Sequence, residues 1–305
     1  MQMCTRNRAH LLSVSGALWL LFAIGFTTPL FAEGPSSAEY GVVLNLSGKQ
    51  RMLSQKMSKE AMLVALDVDR DKNLANLEKT SALFDKTLKG LRDGSEELGL
   101  PPTTSGRILR QLGKIDAVWQ EFYTVIEQIV ATKQVTPEQV GALAKTNIPL
   151  LKEMNKAVGQ YEKDAKAGGL EADPGLAATI NLAGKQRMLT QKMSKEFLLV
   201  AYGYDPEDNK LALLETYSLF ERTLAGLRDG DKILDLPGTQ EPAIREQLAV
   251  VEGLWATFKP IVAYGADYRT TEIPRDKIEA LARTNLPLLK EMNAAVVMYE
   301  KQAAE

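Results

Sequence analysis

Residues 45–53 of this 305-residue chain read NLSGKQRML, and residues 181–189 read NLAGKQRML. The likeness extends on both sides, because residues 44–65 and 180–201 agree at 17 of 22 positions. The same spacing of 136 residues aligns Trp119 with Trp255 and Phe122 with Phe258. A repeat of this length predicts a duplicated domain, since solenoid repeats have much shorter periods.

The spacing between the copies changes near the end of each copy. Residues 146–155 match residues 284–293 at a spacing of 138, which indicates a two-residue insertion before the fourth segment. Between the copies, Gly168-Gly169 and Asp173-Pro174 are typical of a chain break rather than a continuous helix. We therefore predict two domains, at residues 33–168 and 169–305.

Each copy has helical periodicity throughout. Apolar residues recur at steps of three or four, or their multiples, in two successive segments: Leu74, Leu77, Phe84, Leu88 and Leu91, then Ile108, Leu112, Ile115, Trp119, Phe122, Ile126 and Ile129. Thr136-Pro137-Glu138-Gln139 begins a fourth helix with a capping box, and Pro149 and Pro287 are expected to kink the fourth helices. The pattern predicts an all-α protein of two tandem four-helix up-down bundles.

The first 32 residues have the layout of a secretory signal peptide. Arg6 and Arg8 precede an apolar stretch at residues 11–26, and Ala32 supplies a small residue for cleavage. We expect residues 1–32 to be removed and the protein to be periplasmic. The alternative is an uncleaved membrane anchor, because the apolar stretch is only slightly shorter than a bilayer span.

Composition narrows the possible functions. Cys4 and His10 are the only cysteine and histidine, and both lie before the predicted cleavage point. We therefore expect no metal site, no cofactor, no catalytic residue and no enzymatic activity. Removing Arg6 and Arg8 changes the formal charge from −2 to −4, which is too small and mixed to indicate nucleic-acid binding.

The first helix of each copy carries a second, mostly polar face opposite its apolar stripe. This face lies within about 60° of Gly48 on a helical wheel, and all six of its residues recur in the second copy: Asn45, Gly48, Arg51, Met52, Gln55 and Lys59, then Asn181, Gly184, Arg187, Met188, Gln191 and Lys195. Glycine permits close backbone approach, and arginine offers a planar fork of donors for a small oxyanion. A dry helix contact is the alternative, and Lys49, Lys56 and Lys59 are expected to be solvated.

Residues 45–56 and 181–192 resemble the signature of the PilJ-type sensor domain, found at the N-terminus of type IV pilus chemotaxis transducers. The fourth-helix segment at residues 147–155 also resembles that family. The first-helix motif is similar to the P-box of the NarX/NarQ nitrate-sensing kinases. This chain differs in having Lys56 and Lys192 where the nitrate sensors have arginine, and no transmembrane helix or signalling domain is expected after the bundles.

The resemblance implies a helical sensor that binds nitrate, and nitrite more weakly, between two first helices. The ligand-binding role falls on Arg51 and Arg187, with Gly48 and Gly184 giving backbone access. Asn45 and Asn181 complete the motif.

The leading hypothesis is a periplasmic protein that binds or senses a small anion such as nitrate and informs a membrane sensor or chemoreceptor. The alternative is a ligand-free helical adaptor for a membrane receptor or a pilus or chemotaxis system. The two motif faces are expected to meet within one chain, as a monomeric pseudo-dimer. In a collinear rod, each would instead need a partner from another chain, as in a homodimer.

Overall fold

The computed structural model describes residues 35–168 and 175–302, which form eight α-helices. The predicted signal at residues 1–32 and the connection at residues 169–174 lie outside the described part. None of the described helices is long and apolar enough to cross a membrane. In chain order the helices are α1 (Ser37–Ala65), α2 (Arg70–Asp93), α3 (Gly106–Thr132), α4 (Pro137–Ala167), α5 (Leu176–Tyr202), α6 (Pro206–Asp229), α7 (Pro242–Ala266) and α8 (Arg275–Gln302).

Local sequence signals determine several helix ends. The Thr136 side chain accepts from the Gln139 amide while the Gln139 side chain accepts from the Thr136 amide, which confirms the predicted capping box. Ser36 and Glu39 form the same arrangement at the start of α1. Helix α2 ends at Asp93, and the next residue, Gly94, has a φ of 85° that is favoured only by glycine.

Each copy is a four-helix bundle around the predicted apolar stripes. Trp119 is buried in the core of the first bundle, with its ring centroid 4.3 Å from that of Phe84. Trp255 and Phe220 repeat this contact in the second bundle at 4.6 Å. Both fourth helices continue through Pro149 and Pro287, and the kinks remain a prediction.

The two bundles pack side by side through α1 and α5, which are the central helices of the molecule. Both α1 and α5 run antiparallel to α8. Asn45 and Lys59 of α1 bond to Glu300 and Asn285, and Arg187 and Ser194 of α5 bond to Asn293 and Asn285. Helices α1 and α5 are therefore parallel, with equivalent residues opposite one another. The collinear rod is wrong, because the motif faces meet within one chain.

Candidate functional site

Two glycines bring α1 and α5 into direct backbone contact. A Cβ atom added to Gly48 or to Gly184 would lie 3.9 Å from the Cα of the other glycine. The same added atom on Gly48 would lie 3.3 Å from Nη2 of Arg51 and 3.7 Å from Nη2 of Arg187. The absence of two side chains thus leaves the space that both guanidinium groups occupy.

Each arginine reaches across to the opposite copy. Arg51 Nη2 donates to the main-chain oxygen of Asn181 at 3.0 Å, and Arg187 Nη2 donates to that of Asn45 at 2.9 Å. The Nη1 groups donate to the side chains of fourth-helix asparagines, Asn155 at 3.3 Å and Asn293 at 2.8 Å. The structure thus brings all six predicted site residues together along one seam.

The arginine pair carries buried positive charge that no carboxylate in residues 35–168 and 175–302 pairs with directly. Arg51 is 3% exposed and Arg187 is 1% exposed, and neither forms a salt bridge to any described carboxylate. Buried charged side chains are normally paired, so this arrangement is unusual. In addition, the Nε of each arginine is buried and has no hydrogen-bond partner among the described residues.

Both guanidinium groups remain cationic at neutral pH. Burial lowers the pKa of Arg51 to about 10. Burial, followed by repulsion from Arg51, lowers the pKa of Arg187 to about 9. Because both values exceed 7, two like charges face each other inside the protein.

Two glutamates and two lysines lie around the arginine pair. The side-chain amide of Asn45 donates to Glu300, and that of Asn181 donates to Glu162 Oε2 at 2.5 Å. Lys49 and Lys185 lie partly buried beside them. Burial is the main cause that lowers the pKa of each lysine, and the arginine of the opposite copy lowers it further.

A second buried cationic layer lies two helical turns further along α1 and α5. Lys59 Nζ donates to Asn285 Oδ1, and Lys195 Nζ donates to Asn147 Oδ1, both at 3.1 Å. The expectation that Lys59 is solvated is wrong, because it is only 3% exposed. Burial lowers the pKa of Lys59 and of Lys195 to about 8.

The other two lysines of the first helix are partly buried rather than freely solvated. Lys56 bonds to Glu60 and to Thr80 Oγ1, the latter at 2.6 Å. Lys49 faces the arginine seam, where it experiences the charge of Arg187. All three lysine side chains are thus buried or partly buried, which the sequence of the first helix alone did not indicate.

The site also includes residues that the motif face did not predict. These are the fourth-helix residues Asn147, Asn155 and Glu162, with their counterparts Asn285, Asn293 and Glu300. A signal for them was present, because all three recur in the second copy at the spacing of 138. In the described residues, no group of three or more acidic, histidine or cysteine side chains is arranged to hold a metal ion.

The fold and seam define a class of protein: paired helical bundles whose first helices enclose opposed cationic groups. The family described as "Type IV pili methyl-accepting chemotaxis transducer N-term", PilJ, matches residues 36–146 and again residues 171–281. These matches span most of the chain, which therefore belongs to the PilJ family.

A similar curated protein is the methyl-accepting chemotaxis protein McpN of Pseudomonas aeruginosa, 29% identical over 126 residues. The match covers 41% of this chain and 22% of the relative, so the chain spans about a fifth of that protein's length. Family membership indicates a sensing or adaptor role.

Proposed function

We propose that this protein is a periplasmic sensor component that binds nitrate or a similar small oxyanion between α1 and α5. The observation that supports the proposal is the pair of buried guanidinium groups, which form no direct ion pair with any described residue and whose Nε–H groups have no acceptor there. The periplasmic location rests on residues 1–32 acting as an export signal, and the domain limits 33–168 and 169–305 are part of the same proposal.

The chemistry of the seam suits a planar monoanion. A guanidinium presents parallel donors that match two oxygens of such an anion, and Arg51 and Arg187 can approach it from opposite sides. One bound negative charge would relieve the repulsion between the two cations. Each Nη2 already donates one N–H to the main-chain oxygen of Asn181 or Asn45, so its second N–H and the Nε–H are the donors that remain for the anion. The asparagine side chains of α4 and α8 can then orient the anion.

No catalysis is part of this proposal. Whether the anion is bound would be signalled to a membrane receptor such as a chemotaxis transducer, the class of protein named in the family's description. The resemblance to nitrate-sensing kinases supports nitrate as the first anion to test.

A ligand-free adaptor is the second candidate. The observation that favours it is the close Gly48–Gly184 contact together with arginines already bonded to main-chain oxygens, because such a seam could be purely structural. The outer surface of the two bundles would then carry the function.

Nitrate should raise the midpoint of thermal unfolding more than chloride at equal ionic strength, because a ligand that binds only the folded state stabilises it. Arg51→Gln and Arg187→Gln should each weaken nitrate binding by roughly 2–4 kcal/mol, since charge-assisted hydrogen bonds are lost. The control is Arg222→Gln, which removes an exposed arginine bonded to Asp231. Equal nitrate affinity in all four proteins would favour the adaptor.

A further inference from the structure

In each copy, two residues of the fourth helix complete a ring of hydrogen bonds that includes one arginine. On α4, Asn155 accepts from Arg51 Nη1, and Glu162 accepts from the side chain of Asn181, whose main-chain oxygen accepts from Arg51 Nη2. Asn155 and Glu162 are seven residues apart, which places them on one face of α4. The ring therefore begins and ends on the same helix.

An equivalent ring closes on α8. Asn293 accepts from Arg187 Nη1, and Glu300 accepts from the side chain of Asn45, whose main-chain oxygen accepts from Arg187 Nη2. Asn293 and Glu300 are again seven residues apart. The recurrence of the whole ring in both copies indicates that the carboxylate belongs to the site.

The two glutamates act on the arginines through space rather than by contact. The charge of Glu162 raises the pKa of Arg51 against the larger effect of burial, and Glu300 does the same for Arg187. Glu162 also pairs with Lys166 at 3.1 Å, at the edge of the seam. Each carboxylate thus offsets part of the positive charge, while the Nε–H of each guanidinium has no acceptor among the described residues.

We propose that Glu162 and Glu300 are internal counter-charges of the arginine pair and so set its affinity for an anion. This inference rests on the proposed anion site. Two fixed negative charges beside two buried cations stabilise the empty seam and repel an incoming anion. The carboxylates also accept one N–H from the side-chain amide of Asn45 and of Asn181, which leaves each amide one donor fewer for the anion.

The test uses Glu162→Gln, Glu300→Gln and the double variant. Glutamine keeps an oxygen that can accept from the asparagine amide, so the substitution removes charge and preserves shape. Glu153→Gln and Glu291→Gln are matched controls. These carboxylates lie on the same two helices and accept from the side chains of Gln111 and Gln247, away from the arginines.

Titration with sodium nitrate should give a dissociation constant lower by roughly three- to tenfold for each single variant, with a larger decrease in the double variant. Without nitrate, the midpoint of unfolding should fall in the same variants, because the arginines lose their counter-charge. The two control variants should bind nitrate like the wild-type protein.

The outcomes distinguish the counter-charge role of the glutamates from the anion site itself. If the wild-type protein binds nitrate and the Glu162 and Glu300 variants bind no more tightly than the controls, the counter-charge role is wrong and the anion site stands. If only the Glu162 and Glu300 variants bind nitrate, the counter-charge role is supported and nitrate sensing by the wild-type protein is wrong. If no protein of the series binds nitrate, both are overturned.

Discussion

Arg51 and Arg187 meet between the two copies because Gly48 and Gly184 leave room for both guanidinium groups. Main-chain oxygens of the opposite copy accept from each of them. The motif that carries these residues recurs intact. Arg51 and Arg187 stand on a face whose six residues are all retained, whereas the residues that follow α2 and α6 diverge. The partners of the arginines were harder to predict. The acceptors for Nη2 are main-chain oxygens of Asn45 and Asn181, and a main-chain group leaves no signal in the residue types.

The glycine pair leads to a prediction about affinity. Gly48→Ala and Gly184→Ala should each weaken nitrate binding several-fold, because the new methyl group would displace the guanidinium tips that lie 3.3 and 3.5 Å away. The free energy of unfolding should stay within about 1 kcal/mol of the wild-type value, since alanine favours the helix and the arginine side chain is flexible. Calorimetric titration and denaturant unfolding measure the two quantities.

Gly159→Ala provides the control for the glycine substitutions. Gly159 lies within α4, and no atom of the described part of the chain lies within 4 Å of a Cβ added there. This variant should gain about 0.5–1 kcal/mol of stability and keep the wild-type affinity for nitrate. Unchanged affinity in the Gly48 and Gly184 variants would show that the guanidinium position does not matter for binding.

Among the helices, the apolar periodicity predicted where each helix lies better than it predicted which of its residues are buried. The stripes of α2 and α3 are one-sided, and their apolar residues form the bundle cores as expected. Helix α1 instead buries residues on both its apolar and its polar face, because a second bundle covers the polar face. The burial of Lys59 depends on Asn285, which is 226 residues away in sequence, so local pattern could not indicate it.

The lysine layer between the central helices predicts a pH dependence. The folded-state pKa of Lys59 and Lys195 is about 8, below the unfolded value of about 10.4. Between these values the unfolded chain binds more protons, so the free energy of unfolding should rise as pH increases from about 8 towards 10. Each lysine contributes at most about 1.4 kcal/mol per pH unit. The lowered pKa of Arg187 adds to this rise. Burial raises the pKa of Tyr161 and of Tyr299 to about 12, so the two tyrosines oppose the rise only above pH 10.

Denaturant unfolding across this pH range isolates the lysine contribution. The double variant Lys59→Met/Lys195→Met should show a flatter rise than the wild-type protein, whatever its absolute stability. The control is Lys152→Met, since Lys152 is an exposed lysine of α4. A rise that is equally steep in both variants would assign the pH dependence to other groups.

In the whole molecule, the two copies form an approximate twofold arrangement, because their first helices, α1 and α5, pack against each other in parallel. The symmetry holds for the arginines, the glycines and the fourth-helix asparagines. It fails at the end of α1, where Arg275 donates to the main-chain oxygens of Leu66 and Asp67, and the corresponding position in the first copy is Pro137. One chain therefore contains both halves of the seam, with distinct surroundings at one end.

The central claim is that one polypeptide contains one complete anion site formed by both copies. The most direct test is calorimetric titration of the purified protein with nitrate, at two protein concentrations and with the molecular mass measured by sedimentation. We predict one nitrate bound per monomeric chain, with a dissociation constant that does not change with protein concentration. Two nitrates per chain, or binding only by a dimer, would contradict the shared site between Arg51 and Arg187.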